Sequence, residues 1–243
     1  MKKKYMAAGI LCLCACILCL ILAWVRTTPA PVETEPPEEP EPEAEEPYVS
    51  EIDFEKLQEE NPHIYAWLEV PGTNISYPVV QHPKDDTYYL NRDIDGNWKV
   101  DGSLFTEHEY NGTDLTDPVT VIYGHRMNSG AMFGNLQATY SDPESFAEHE
   151  KIILYLPDRK LTYSVFAAVP YDKRHILYNY AFENPGIYRK FFKSVADVRA
   201  IGANFSEEVD MPEPEERVVI LSTCLMGDRS KRYLVMARCD DDF

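Results

Sequence analysis

The stretch "VVILSTCLMGDRSKRYLVMAR", residues 218–238, sets two β-branched runs on either side of a short polar segment, with Cys224 closing the first run and Arg232 opening the second. Runs of this composition read as strands, and the polar segment as the connection of a hairpin. With Cys224 opposite Arg232, the two side chains share a face with Cβ atoms about 5 Å apart, and Cys239 falls opposite Arg217. At about 3.4 Å per residue, Cys239 then lies roughly 20 Å or more from Cys224, beyond the about 7 Å Cα separation that a disulfide tolerates. The hairpin therefore predicts two free thiols, one of them beside a cation.

Upstream, the domain continues in the same manner. "YAWLEV", "NISYPVV", "GSLFT", "VTVIYGH", "KIILYLP" and "KLTYSVFAAVPYD" are short β-branched and aromatic runs bounded by Gly, Pro, Asn or Asp. With the closing pair they make about eight strands, which predicts a mainly β fold, a barrel or a sandwich. Helices are few. "DFEKLQEENPHIYAW" opens on an Asp N-cap pattern, and "AMFGNLQATY" predicts one short helix after the "YGH" strand end. "ENPGIYRKFFKSVADVRAIG" predicts a longer helix before the cysteine strand, with Pro185 near its start, Ile187, Phe191, Phe192, Val195 and Val198 as its apolar face, and Gly202 at its end.

The N-terminal end reads differently. After Lys2, Lys3 and Lys4, the segment Tyr5 to Val25 carries no charge, about the 20 residues needed to cross a hydrocarbon core of roughly 30 Å. A cleaved signal peptide is the competing reading, but the apolar stretch is long for one and no A-x-A site follows; a lipidated Cys16 would leave the preceding apolar stretch short. Three lysines before the span against Arg26 after it place the N-terminus in the cytoplasm and the rest outside. Residues 1–26 are thus expected to be a basic start and a transmembrane signal anchor, residues 27–47 a Pro/Glu-rich extended tether, and residues 48–243 an extracellular domain. Four of the six cysteines fall inside the apolar stretch, as small apolar residues. Removing the tether's eight glutamates and the four N-terminal basic residues from the net charge of −18 leaves −14 on the domain, which repels nucleic acid and anionic lipid and points to peptides or polysaccharides as partners.

Of the six histidines, His63, His82, His108, His149 and His175 sit in polar or loop contexts. His125 ends the apolar strand "VTVIYGH" after a glycine, where a side chain projects over a barrel rim. Outside the apolar stretch there is no C-x-x-C, no H-E-x-x-H occurs, and "EHEY" lacks a second histidine, so neither metal nor cofactor is expected. Arg229 falls in the loop and is expected to be solvated; Arg238 shares the facing parity of Arg232 but lies about 20 Å along the strand.

"TVIYGHRMNSGAMFGNL", "VVILSTC" and "KRYLVMAR" resemble the sortases, and more narrowly class B, and the likeness extends through "NPHIYAWLEVPGTNISYPVVQ", "YYLNRDIDG" and "GSLFTEHEYN" over most of residues 53–239. The resemblance implies an eight-stranded β-barrel, with the helix before the cysteine strand as the feature that sets class B apart. It implies a cysteine transpeptidase in which Cys224 is the nucleophile, His125 the acid/base and Arg232 the third essential residue. It also implies a substrate groove lined by Asn91, Leu104, Tyr178, Ser222 and Thr223. The donor would be a secreted protein with a C-terminal sorting motif, and the acceptor an amine of the peptidoglycan cross-bridge. The chain departs from the family pattern in a seven-residue connection between Cys224 and Arg232, where Leu225 and Met226 stand in place of an acid after the cysteine. A pilin-polymerising enzyme with a lysine acceptor and a tethered binding module with an incidental thiol are the other readings.

Overall fold

The computed structural model describes residues 48–241; the anchor and tether expected over residues 1–47 lie outside them. Among the described residues no helix is long and apolar enough to cross a membrane.

Chain order begins with α1 (Phe54–Glu60), whose first turn is capped by Asp53 accepting from the Lys56 amide at 3.1 Å. Strands β1 (Ile64–Glu69) and β2 (Ser76–Val80) follow as an antiparallel pair, then a 3-10 turn at Tyr88–Asn91, the two-residue β3 (Leu104–Phe105) and β4 (Val119–Tyr123). After α2 (Leu136–Ser141) and α3 (Pro143–Glu148) come β5 (Lys151–Tyr155), the long β6 (Lys160–Asp172), the single turn α4 (Ile176–Asn179), α5 (Pro185–Ala196), β7 (Asn204–Phe205), β8 (Val218–Leu225) and β9 (Asp228–Cys239).

The strands run in the order β5-β1-β2-β3-β4-β8-β9-β6, and the β5–β6 pairing closes this set of eight into a barrel; β7 is a short addition on β6. Closure removes the open edges that a sheet of short strands would otherwise expose. The expected eight-stranded barrel is the fold found.

β8 has apolar neighbours on both faces, which is why "VVIL" has no polar alternation. Val219 and Leu221 point into the main core with Leu68, Val79, Ile122 and Tyr233. Val218 and Ile220 point the other way, into a second core with Val121, Leu234, Met236 and the α5 residues Tyr188, Phe191, Phe192 and Val195. Each such side chain contributes about 1.5–3 kcal/mol on burial, so α5 fixes the outer face of the very strands that end at the cysteine.

The helices depart from expectation in detail. α5 ends at Ala196, six residues before Gly202, and its buried face uses Tyr188 where Ile187 was expected; the Tyr188 hydroxyl donates to the Glu216 carbonyl at 2.8 Å, which draws the ring inward. Its start is fixed by Asn184, whose side chain accepts from the amides of Gly186 and Ile187. The single helix expected after "YGH" is two, because Asp142 ends α2 and caps α3 by accepting from the Ser145 amide.

Candidate active site

β4 and β8 are parallel neighbours, paired from Val119 opposite Val218 to Tyr123 opposite Ser222. The Gly124 amide donates to the Ser222 carbonyl at 3.1 Å, so the register carries on past the end of β4 along β8 and sets His125 level with Cys224. Thr223 ties the same point from its side chain, donating from Oγ1 to the Gly124 carbonyl at 2.8 Å. Gly124 has no room for a side chain, since a Cβ there would come within 2.5 Å of Leu104 Cδ2 and 2.6 Å of Phe133 Cδ2. Beyond it, the His125 carbonyl accepts from the Phe133 amide at 3.0 Å, which folds the following loop back on itself.

On the other side of β8, Cys224 pairs with Arg232, as the sequence register requires, and the Cys239 amide donates to the Arg217 carbonyl. Cys224 and Cys239 are both free. The connection is tighter than a seven-residue loop: β8 and β9 run on to the pair Leu225–Asp228, and the turn is Met226 with Gly227 at φ 83°. The surplus residues Arg229, Ser230 and Lys231 form a bulge on β9, braced by Asp228 accepting from the Ser230 amide and hydroxyl. Arg232 Nη1 points back at this bulge, donating to the carbonyls of Lys231 at 3.2 Å and Arg229 at 3.4 Å. The Met226 amide donates to Gln137 Oε1 at 2.7 Å and so pins the turn to α2.

A cleft of about 480 Å³ opens between these elements, lined by Asn91, Val100, His125, Arg126, Met127, Asn128, Ser129, Cys224 and Arg229. Thiol, imidazole and cation thus meet in one concavity. Of the residues expected to line a groove, Asn91 does so. Ser222 and Thr223 are buried in the β8 ladder beneath the cysteine. Leu104 is 1 % exposed and packs in the core, and Tyr178 is 75 % exposed on α4; neither lines the cleft.

Three features escaped the sequence reading. Arg229 is exposed, as expected of a loop arginine, yet it lines the cleft while Arg232 turns to the bulge. The His125 Nε2 donates to the Leu90 carbonyl at 2.8 Å. Behind Arg232, burial and then Glu107 push the Tyr123 phenol far above its ordinary value, with the Arg232 charge pulling the other way. Neither the Tyr123 hydroxyl nor Glu107 Oε2 makes a well-formed hydrogen bond, while Glu107 Oε1 accepts from His175 Nε2 at 2.9 Å.

The family model described as the sortase domain matches residues 68–240. The chain belongs to the sortase family. Its relatives place it in class B: it is 29 % identical over 190 residues to sortase B of Staphylococcus aureus, covering 76 % of this chain and 73 % of that one. The solved Staphylococcus aureus sortase B–substrate complex superposes with a TM-score of 0.67 at 26 % identity, over 80 % of this chain and 88 % of that one. Spy0129 of Streptococcus pyogenes, described as a class B sortase involved in pilus biogenesis, gives a TM-score of 0.64 at 26 % identity, over 78 % of this chain and 98 % of that one. The protein is accordingly a cysteine transpeptidase of the sortase type.

Proposed function

We propose that this sortase joins secreted proteins to the cell envelope, with Cys224 as nucleophile, His125 as general acid and base, and Arg232 as the cation that stabilises the developing oxyanion. The observation that carries the reading is the parallel β4–β8 register, which brings a histidine and a free cysteine to one cleft at the same strand ends. His125 takes the thiol proton, and Sγ attacks the carbonyl carbon of the scissile bond in the sorting motif. As the tetrahedral centre collapses, the carbon–nitrogen bond breaks and His125 gives its proton to the leaving amine, which leaves an acyl thioester on Cys224. An acceptor amine attacks that thioester, its proton passes to His125, and the thiol is released.

Arg232 reaches the substrate by exchanging its carbonyl partners in the β9 bulge for the substrate oxygen. A planar guanidinium offers two parallel donors there, and one such donor is worth about 3 kcal/mol in the transition state. Asn91 is the groove residue best supported by its position; Leu104, Tyr178, Ser222 and Thr223 would shape the groove from behind or from its rim.

The expected topology completes the reading: a single-pass anchor over residues 1–26 with its N-terminus in the cytoplasm, a tether over residues 27–47, and the domain outside, where sorting-motif proteins and peptidoglycan precursors are found. The preferred acceptor is a cross-bridge amine. A pilin lysine is the second reading, supported by the likeness to a sortase described as acting in pilus biogenesis. Incubating the full-length enzyme with a fluorescent sorting-motif peptide and either a cross-bridge peptide or a lysine-bearing pilin decides between them by the product formed. Cleavage and transfer should vanish in Cys224→Ala, and full activity in that variant overturns the assignment.

A further inference from the structure

A 3-10 turn of four residues leaves its last carbonyls without partners of its own. At Tyr88–Asn91 two of them are taken by the chain that follows: the Ser103 amide donates to Tyr89 O at 3.0 Å, and the Lys99 amide to Asn91 O at 3.0 Å. The one between, Leu90 O, accepts from His125 Nε2 at 2.8 Å. A carbonyl oxygen only accepts, so Nε2 carries a proton in this arrangement, and in the neutral ring Nδ1 is the nitrogen left with a lone pair.

We propose that the Leu90 main-chain carbonyl is the positioning group of this active site: it orients the His125 ring and holds it in the Nε2–H tautomer, so that Nδ1 is the atom that exchanges protons with Cys224 and the leaving amine. The proposal rests on the role given to His125 above. A general base that serves a nucleophile needs a third group to orient it, and here that group is main chain rather than a carboxylate or an amide side chain. The bond is kept when the ring becomes a cation, where it strengthens as a charge-assisted one.

The carbonyl has a seat of its own. Gly102, at φ +60°, lies so close under it that a Cβ would stand 2.5 Å from Leu90 O, 2.8 Å from Tyr89 O and 3.0 Å from Leu90 C. These are main-chain atoms, which cannot swing aside as a side chain does. A methyl group at position 102 therefore has to displace the acceptor of His125. Gly96 in the same loop is the natural control: it also has positive φ, at +79°, but its Cβ would meet only the end of the Tyr88 side chain, at 3.1 Å.

The test uses the full-length enzyme with ¹⁵N-labelled histidine. Long-range ¹H–¹⁵N spectra, assigned with His125→Gln, should show the neutral His125 ring protonated on Nε2. Gly102→Ala should lower kcat by about 100-fold, the scale of a misplaced reacting group, with little change in KM, and should disturb the Nε2–H signature; Gly96→Ala should keep both near wild type. An Nδ1–H ring in the wild-type enzyme overturns the proposal whether or not Gly102→Ala folds. So does a folded Gly102→Ala with wild-type kcat. Neither result touches the assignment of the site, which falls instead if His125→Gln remains fully active.

Discussion

The cleft is built from two kinds of material. One wall is ladder: Cys224 on β8 and the backbone of His125 just past β4 line it, with Arg232 opposite Cys224 on β9 but turned to the bulge, and the outer face of these strands is filled by α5 while their inner face is the barrel core. The other wall is loop: Asn91 and Val100, with the Leu90 carbonyl that meets His125, belong to a 3-10 turn and the irregular chain after it, held by single main-chain hydrogen bonds such as Lys99 to Asn91 and Ser103 to Tyr89. Ladder positions share many bonds and much buried area, so one substitution changes chemistry without moving them. Loop positions rest on few contacts, so a small change moves the group itself. The ladder wall should therefore fail through lost charge or lost packing, and the loop wall through lost placement.

The largest effect is expected on the ladder wall. Arg232→Lys keeps the charge and the cross-strand position opposite Cys224 but loses the planar fork. It should reduce kcat/KM by about 100-fold, which is about 2.7 kcal/mol, with unchanged thermal stability. Near-wild-type turnover would return Arg232 to the role its present contacts already serve, as a brace for the bulge carbonyls, and would shift attention to Arg229, which lines the cleft.

A second effect tests packing at the junction of strand and site. Gly124→Ala puts a methyl group against Leu104 and Phe133, both fully or almost fully buried. Overpacking of this kind costs about 1–3 kcal/mol, which at about 2–4 °C per kcal/mol for a domain of this size is a drop of several degrees in Tm. Because His125 is the next residue, turnover should fall as well. A variant with lowered Tm and intact kcat would show that the Phe133-to-His125 bond holds the histidine by itself.

The same contrast explains what could be read in advance. Pairing Cys224 with Arg232 is enough to put Cys239 opposite Arg217, because a ladder of period two transmits register along its length. The strand-end position of His125 was visible for the same reason, as the last residue of an apolar run. The Leu90 carbonyl was not, since a main-chain atom in a 3-10 turn carries no side-chain signal and its place depends on bonds to residues 99–103. Leu104 was expected at the groove; its neighbour on the far side is Gly124, and the missing side chain there draws Leu104 into the core. The bulge that brings Arg229 to the cleft arises from a three-residue surplus on one strand, and only the observed turn at Met226 and Gly227 reveals it.

The smallest effect separates the two walls by pH. His63 Nδ1 lies 2.8 Å from the hydroxyl of Tyr89, the residue before Leu90, and its ring meets that of His82 at 5.0 Å, which in turn stacks on Tyr88 at 4.3 Å. Burial, and then the proximity of His82, hold the His63 ring below its ordinary value of 6.5. In the unfolded chain His63 takes its proton near 6.5, while the folded chain resists it. The stability tied to the neutral ring is therefore complete above 6.5 and declines as the pH falls from there toward the lowered folded value. Protonation of His63 puts a charge against burial and the His82 ring beside the 3-10 turn, so the loop wall should loosen while β8, which has no histidine on its ladder, stays closed. Amide hydrogen exchange, corrected for intrinsic rates and compared between about pH 7 and about pH 5, should show protection at residues 88–91 falling by more than that at residues 218–223. His82→Gln, which removes the ring that opposes charge on His63, should shrink the difference. Equal loss of protection in both walls would mean that the turn and the barrel open as one unit, and the division between ladder and loop would not hold.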